Sequence, residues 1–311
     1  MIAYVNPLQS REFVELCSVE PIIGARICSW FCCYANAYPF CDMWILYSSR
    51  RCRDRFAPYR RGEEGWPHGV AARYQGTLCI ACDDEVDFDE LADFVAGSGA
   101  MEVECLASTM DRLIPRIPFA VRQRQTVLTY DFDREGAPGV PPVRVLSGRG
   151  FLYSDELDCD PAGFVENTCL REMYDVIAAC FDGFAENSPF SGWYVDTFAR
   201  IKKAESYLCG IQREGKLVSV AGVYNVSPVS AMISSVATLP GWRHQGLAKQ
   251  CIRRCLEYVR YLDAVPYLTA AHRELVDYYT ALGFTPCAQR CSALRLREGE
   301  PWRPAREQVP M

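Results

Sequence analysis

The sequence predicts an α/β (α+β) protein in two parts. Three observations carry this. The chain has 311 residues, too many for one small domain. Glycine and proline cluster at Asp133-Arg-Glu-Gly-Ala-Pro-Gly-Val-Pro-Pro142, between two strand-like runs, and mark a break. After that break, helical and strand periodicities alternate in one continuous order. The expected division is an N-terminal α/β domain over 1–135, a linker over 136–142 and a second domain over 143–311.

In the first part, the apolar pattern predicts a helix over Glu12 to Ala35 and a strand over Met43 to Tyr47. An arginine-rich stretch follows, with Arg50, Arg51, Arg53, Arg55, Arg60 and Arg61. It is interleaved with Asp54, Glu63 and Glu64 and reads as a solvated loop, with an anion contact as the lesser alternative. Then come a strand (Gly76 to Cys82), an acidic helix (Asp87 to Gly97), a strand (Met101 to Leu106) and another strand (Val121 to Phe132). No catalytic motif is visible in this half.

The second part starts with a strand-like run at Val143 to Leu146. Leu170, Met173, Tyr174, Ile177 and Phe181 share one helical face. Pro189 opens a second helix through Trp193, Tyr194, Phe198 and Ile201. Tyr207 to Gln212 and Leu217 to Asn225 read as strands joined by the turn Arg213-Glu-Gly-Lys216. Ala231 to Leu239 is the next strand. A long amphipathic helix runs from Gly246 to Leu262, burying Leu247, Cys251, Ile252, Cys255, Leu256 and Val259. Pro266 to Ala271 is a strand and His272 to Leu282 a helix. From Gly283 onward a terminal hairpin is expected, including Cys291 to Leu296.

Composition sets limits on partners. The net charge of −6 gives no bulk attraction to nucleic acid or to a membrane surface. No apolar run reaches the roughly 18 residues of a membrane span. Ile22 to Tyr34 is short, carries Arg26 and lacks the pattern of a signal peptide, so the chain is read as cytoplasmic. Seventeen cysteines at unorganised spacings read as reduced core residues. Cys79 and Cys82 form a lone Cys-x-x-Cys with no second pair, so no metal site is expected.

The chemistry concentrates at Ser235 to Ala248. A β-branched run stops at Pro240, and Arg243-His244-Gln245-Gly246-Leu247-Ala248 leads into a helix. The first N–H groups of a helix lack intrahelical partners and sit at the positive end of its dipole. Such a turn is an anion cradle, and pyrophosphate suits it. The three spaced glycines of dinucleotide loops and the Gly-Lys-Ser/Thr of the Walker loop are absent.

Arg-x-x-Gly-x-Ala in this position resembles the acyl-CoA signature Gln/Arg-x-x-Gly-x-Gly/Ala of the GNAT superfamily of N-acetyltransferases. Asp277-Tyr-Tyr-Thr-Ala-Leu-Gly-Phe284 resembles the family's closing Leu-Tyr-Glu-Lys-Leu-Gly-Phe box. The element order from 143 to 297 is similar to the family core, about half the chain, and Trp193-Tyr-x-Asp196 followed by Arg200 resembles a group of two-part bacterial members.

The resemblance implies a GNAT fold: a mixed, mostly antiparallel sheet flanked by helices, with a splayed parallel strand pair. It implies acetyl-CoA as co-substrate and no metal. The backbones around Val236, Ala237 and Thr238 would pair with the pantetheine arm. The N–H groups from His244 through Gln245, Gly246 and Leu247 to Ala248 would hold the pyrophosphate. Arg243 would either touch phosphate or order the loop. Tyr279 falls where the family places its general acid, a phenol protonated at neutral pH. His272 stands where many relatives carry asparagine, and is either a base or a helix cap that touches CoA. The Ser234 to Thr238 strand has no acidic residue, which leaves the base unassigned.

The expected function is acyl transfer from acetyl-CoA to a primary amine of a small molecule or peptide. The alternative is a catalytically weak acyl-CoA-binding regulatory module. The segment Phe190 to Asp196 either lines the acceptor site or packs as core. The N-terminal half stays open between a degenerate copy of the fold, a lid and a homodimer surface.

Overall fold

The computed structural model describes residues 2–5, 9–34, 41–47, 67–133, 164–167 and 169–296. The expected linker at 136–142, the strand at Val143 to Leu146 and the arginine-rich stretch at 50–61 lie outside the described residues. Two compact units are present. The first groups Met1–Leu128, Thr269–Tyr278 and Pro286–Met311, the second Thr129–Leu268 and Tyr279–Thr285.

The first unit is built on the strands β1 (Ile2–Tyr4), β2 (Cys41–Tyr47), β3 (Pro67–Tyr74), β4 (Thr77–Cys82), β5 (Glu102–Leu106) and β6 (Phe119–Thr129). The helices are α1 (Ser10–Leu16), α2 (Pro21–Tyr34), α3 (Phe88–Gly97) and α4 (Ala107–Leu113). One helix was expected over Glu12 to Ala35, but two form. Pro21 begins the second, and the Glu20 carboxylate accepts from Ile22 N and Ile23 N at 2.8 and 2.9 Å, capping it. Gly24 in α2 lies so close to Cys17 that a Cβ would sit 1.8 Å from its carbonyl oxygen.

The chain's last strand, Thr285–Arg295, follows the labels β7 to β11 given below and is β12. It corrects the expectation of a terminal hairpin. It runs straight on and pairs antiparallel with β5, from Arg290↔Leu106 to Leu294↔Glu102. The sheet order in this unit is β1-β2-β3-β4-β5-β12-β6. Strand alternation sorts the two faces. Leu78, Ile80, Val103, Cys105, Cys291 and Ala293 pack against Leu91 and Val95 of α3 and Met110 and Leu113 of α4. On the opposite face, Glu104 meets Arg26 of α2 and Cys79.

The second unit contains β7 (Phe164–Glu166), α5 (Leu170–Cys180), α6 (Phe184–Asn187), α7 (Phe190–Lys202), β8 (Tyr207–Arg213) and β9 (Lys216–Val226). It continues with β10 (Ser230–Thr238), α8 (Leu247–Tyr261) and β11 (Val265–Ala270), and α9 (Arg273–Ala281) follows. Its sheet order is β11-β10-β9-β8-β7. The β8–β9 turn has φ of 52° at Glu214 and 73° at Gly215, the two positive values a two-residue hairpin turn needs. Leu170, Met173 and Ile177 of α5 and Ile201 of α7 pack on Leu208, Val220 and Ala237. α8 packs on β8, β9 and β10, with Cys209 Sγ 3.9 Å from Cys255 Sγ. Every cysteine among the described residues is a free thiol.

Candidate functional site

The second unit carries one strand pair that stops pairing early. β10 and β11 run parallel and match at Ser230↔Val265, Ala231↔Pro266 and Met232↔Tyr267. The register goes no further, although β10 continues to Thr238 and β11 to Ala270. On its other edge β10 stays paired with β9 as far as Ala237↔Val220 and Thr238↔Ser219. Its ladder is irregular between Ser234 and Ala237, and Ser235 has φ 53°. A bulge of this kind bends a strand and re-aims its backbone groups. The paired register of β10 with β11 therefore ends at Met232, and Ser235 to Thr238 lie beyond it.

The loop beyond β10 is held from within. Ser219 Oγ lies 2.8 Å from Thr238 Oγ1 and donates to the Ala237 carbonyl at 3.2 Å. Pro240–Trp242 form a short 3-10 turn, with Trp242 half-buried. Arg243 Nε donates to the Thr238 carbonyl at 3.1 Å, so its guanidinium orders the loop. His244 then takes φ 63° and Gly246 φ 75°. Gly246 is the N-cap of α8 and opens into free space, since a Cβ there would meet nothing within 4 Å. Its glycine serves the left-handed conformation.

No side chain caps α8, and its first turn holds no acidic residue. Its leading N–H groups have no capping side chain and sit at the positive end of a 15-residue helix. Arg243, His244, Gln245 and Gly246 are exposed, Ala248 is half-buried, and Leu247 is buried and anchors the helix start. Val236, Ala237 and Thr238 line the parted edge of β10.

The first unit repeats this pattern with opposite chemistry. β4 and β5 also run parallel, matching only from Thr77↔Glu102 to Cys79↔Glu104, with α3 between them. Here the helix start is closed. The Asp87 carboxylate accepts from Asp89 N and Glu90 N, both at 3.1 Å, and Asp89 and Glu90 fill the first turn. Carboxylates occupy the place an anion would take, so this helix end is no phosphate cradle.

Tyr279 and Tyr278 are adjacent on α9 but point differently. Tyr279 is 7 % exposed, and its ring lies 6.0 Å from that of Phe284, whose N–H donates to the Tyr279 carbonyl at 3.1 Å. Tyr278 is 37 % exposed. His272 is exposed and caps α9 through its backbone, its carbonyl accepting from Leu275 N and Val276 N at 3.1 and 3.2 Å. It lines a cavity of about 390 Å³ in the first unit, beside Arg124, Gln125, Thr126, Asp277 and Gln289.

The aromatic segment of α7 packs in part, with Phe190 and Trp193 half-buried, while Tyr194 and Val195 are exposed. Tyr174 of α5 meets Phe190 and Trp193 at 5.2 and 5.4 Å, and Tyr194 stacks on Phe198 at 5.7 Å. In the same unit Arg200, 5 % exposed, pairs with Asp196 at 2.9 Å. The positive φ at Ser235 escaped the sequence reading, and only the Ser234-Ser235 pair inside a β-branched run hints at it. Lys249 and Arg253, on the first two turns of α8, were also passed over. No group of three or more His, Cys, Asp or Glu among the described residues could hold a metal ion.

Comparisons with known proteins agree with this geometry. Residues 170–284 match the family model described as Acetyltransferase (GNAT) family. None of the curated proteins compared with the chain matches it. Among solved structures it is similar to a tandem GNAT protein from the clavulanic acid biosynthesis pathway, with TM-score 0.54 and 14% identity over 96% of this chain and 100% of that one. It is similar to a GCN5-related N-acetyltransferase from Sphaerobacter thermophilus, with TM-score 0.56 and 13% identity over 94% of each chain. A Drosophila protein gives TM-score 0.59 and 10% identity over 94% of this chain and 98% of that one. At such identities the likeness is one of fold. The mixed sheet and the short parallel pairing of β10 with β11 agree with that fold, and the match to the GNAT acetyltransferase family model spans residues 170–284.

Proposed function

We propose that the second unit is an acetyl-CoA-dependent N-acetyltransferase acting on a primary amine. The observation that carries this reading is the parted end of β10 running into an uncapped, acid-free helix start. Pantetheine is amide-bearing, and its groups suit the backbone edge from Val236 to Thr238. A pyrophosphate suits the N–H groups from His244 to Ala248. The co-substrate supplies an acyl thioester.

In the proposed reaction the acceptor nitrogen attacks the thioester carbonyl carbon. A C–N bond forms and the C–S bond breaks. The departing sulfur takes a proton from the Tyr279 hydroxyl; the proton lost by the amine passes to water, and the Tyr279 phenolate regains one from solvent. Tyr279 supports this role because it is buried at the end of α9 and a phenol is protonated at neutral pH.

Calorimetry of the full chain with acetyl-CoA tests the binding. The expected result is saturable binding, and no heat at millimolar ligand overturns the reading. A thiol-release screen over small amines, polyamines and peptide N-termini tests turnover. Binding without release on any acceptor would favour the regulatory module.

A further inference from the structure

In the reading above, the co-substrate runs backwards along β10. Its pyrophosphate takes the N–H groups from His244 to Ala248, and its amide arm follows Thr238, Ala237 and Val236. The thioester then falls at the next residue back, Ser235. Ser235 is half-buried and has φ 53°, a left-handed value at the irregular step of the β9–β10 ladder. A bulge of this kind re-aims a side chain.

A buried hydroxyl lies beside that step. Tyr224 of β9 is half-buried as a residue, but its hydroxyl is fully buried and has no hydrogen-bond partner among the described residues. Gly222 makes room for the ring, since a Cβ there would stand 2.6 Å from Tyr224 Cε2. Gly222 is also the cross-strand partner of Ser234, so the ring lies level with the start of the bulge. Burial pushes the phenol up to about 12, and the Ser235 side chain acts against that rise. Asp196 and Arg200 also act on this phenol, which places this part of α7 within electrostatic reach of the same point. A buried hydroxyl left without a partner costs stability, so its retention calls for a role outside folding.

We propose that Tyr224 positions the acceptor amine by acting through Ser235. With the acceptor in place, the Ser235 hydroxyl donates to the Tyr224 oxygen. A serine hydroxyl has one proton, so only its lone pairs remain for the acceptor. They accept an N–H of the amine and aim the nitrogen lone pair at the thioester carbonyl carbon. Tyr224 touches neither reactant, and no bond of Tyr224 or Ser235 is made or broken. The inference rests on the acyl-CoA reading of the second unit.

Tyr224→Phe in the full chain separates this role from a structural one. Loss of an unpartnered buried hydroxyl should raise the melting temperature of the free protein by about 2 °C or more. Thiol release from acetyl-CoA with methylamine as the acceptor probe should show kcat/KM for methylamine reduced about tenfold or more, while acetyl-CoA affinity by calorimetry stays within about twofold of wild type. Ser235→Ala should cost about the same, and the double variant no more than either single one, because the two hydroxyls act as a unit. A lower melting temperature for Tyr224→Phe would mean that the hydroxyl is bonded in the free fold, and it overturns the proposal. Unchanged turnover in that variant, or fully additive losses, overturns it as well and leaves the acyl-CoA reading intact. Wild-type binding of acetyl-CoA without thiol release is the regulatory outcome and overturns the proposal with it. If the wild type does not bind acetyl-CoA, the acyl-CoA reading itself fails, which is a separate outcome.

Discussion

Glu104 is 6 % exposed, and burial alone would raise its pKa. Arg26 and Arg290 flank the carboxylate and instead hold it down at about 2. Its folded pKa lies below the unfolded value, so it stabilises the fold above pH 4.5 and loses that contribution as pH falls toward 2. Glu20 has the opposite sign. Burial pushes it up to about 7 against the two backbone N–H groups it accepts from. Its contribution is present below pH 4.5 and fades as pH rises toward 7. Glu20→Gln keeps an acceptor for the helix cap and removes the buried charge. Relative to the wild type, the variant should gain up to about 3 kcal/mol between pH 5 and 7 in urea titrations. An unchanged difference across that range would contradict the assigned pKa. Tyr279 is tested in the same residue-by-residue way. Tyr279→Phe should lower kcat by about a hundredfold or more and leave acetyl-CoA affinity within about twofold, because only a proton donor is removed. Unchanged turnover would remove Tyr279 from the acid role.

At the scale of elements, α3 and α8 each connect the two strands of a parallel pair, and they differ at the capping residue. Asp87 closes α3, while Gly246 leaves α8 open. Gly246→Asp should bring the chemistry of α3 to α8. Aspartate tolerates the left-handed conformation better than most residues, and its carboxylate satisfies the leading N–H groups. The expected outcome is a melting temperature close to wild type with acetyl-CoA affinity reduced more than about tenfold, measured by calorimetry. Retained affinity would show that the cradle lies elsewhere. The loop from Ser235 to Ala248 was legible in the sequence because its chemistry is local: a strand, a proline, a glycine and a helix start. The stretch from Asp87 to Gly97 was equally visible, but it read only as an acidic helix. Its meaning depends on β4 and β5 being parallel, which no local pattern states. β3 went unread because Pro-His-Gly-Val-Ala-Ala-Arg-Tyr has weak strand propensity. Burial on both faces, with Val70, Ala71 and Ala72 fully buried, overrides that weakness. The single helix expected over Glu12 to Ala35 failed because the apolar pattern continues across the cap at Glu20.

At the scale of the whole molecule, the first unit closes only when the end of the chain arrives. β12 sits between β5 and β6, so strands near residues 105 and 125 depend on one near residue 290. Cys291 and Ala293 are fully buried there, and Arg290 shares the Glu104 carboxylate. No hairpin pattern could announce this pairing, because the partner strand lies some 185 residues earlier in the chain. A chain cut after Thr285 keeps every helix of the first unit and loses one central strand. It leaves two unpaired sheet edges, an uncovered part of the α3–α4 core, and a Glu104 with one cation fewer. Such a truncation should lose the cooperative melt of the first unit, with far-UV circular dichroism and protease sensitivity as readouts. Adding a peptide spanning Thr285–Arg295 should restore protection of β5 and β6 amides in hydrogen exchange. Full protection of those amides without the strand would mean that the first unit folds on local contacts alone. Because the closing contact is so distant in sequence, the intact chain should also refold slowly, and a stopped-flow refolding experiment should find burial of β5 among the last events.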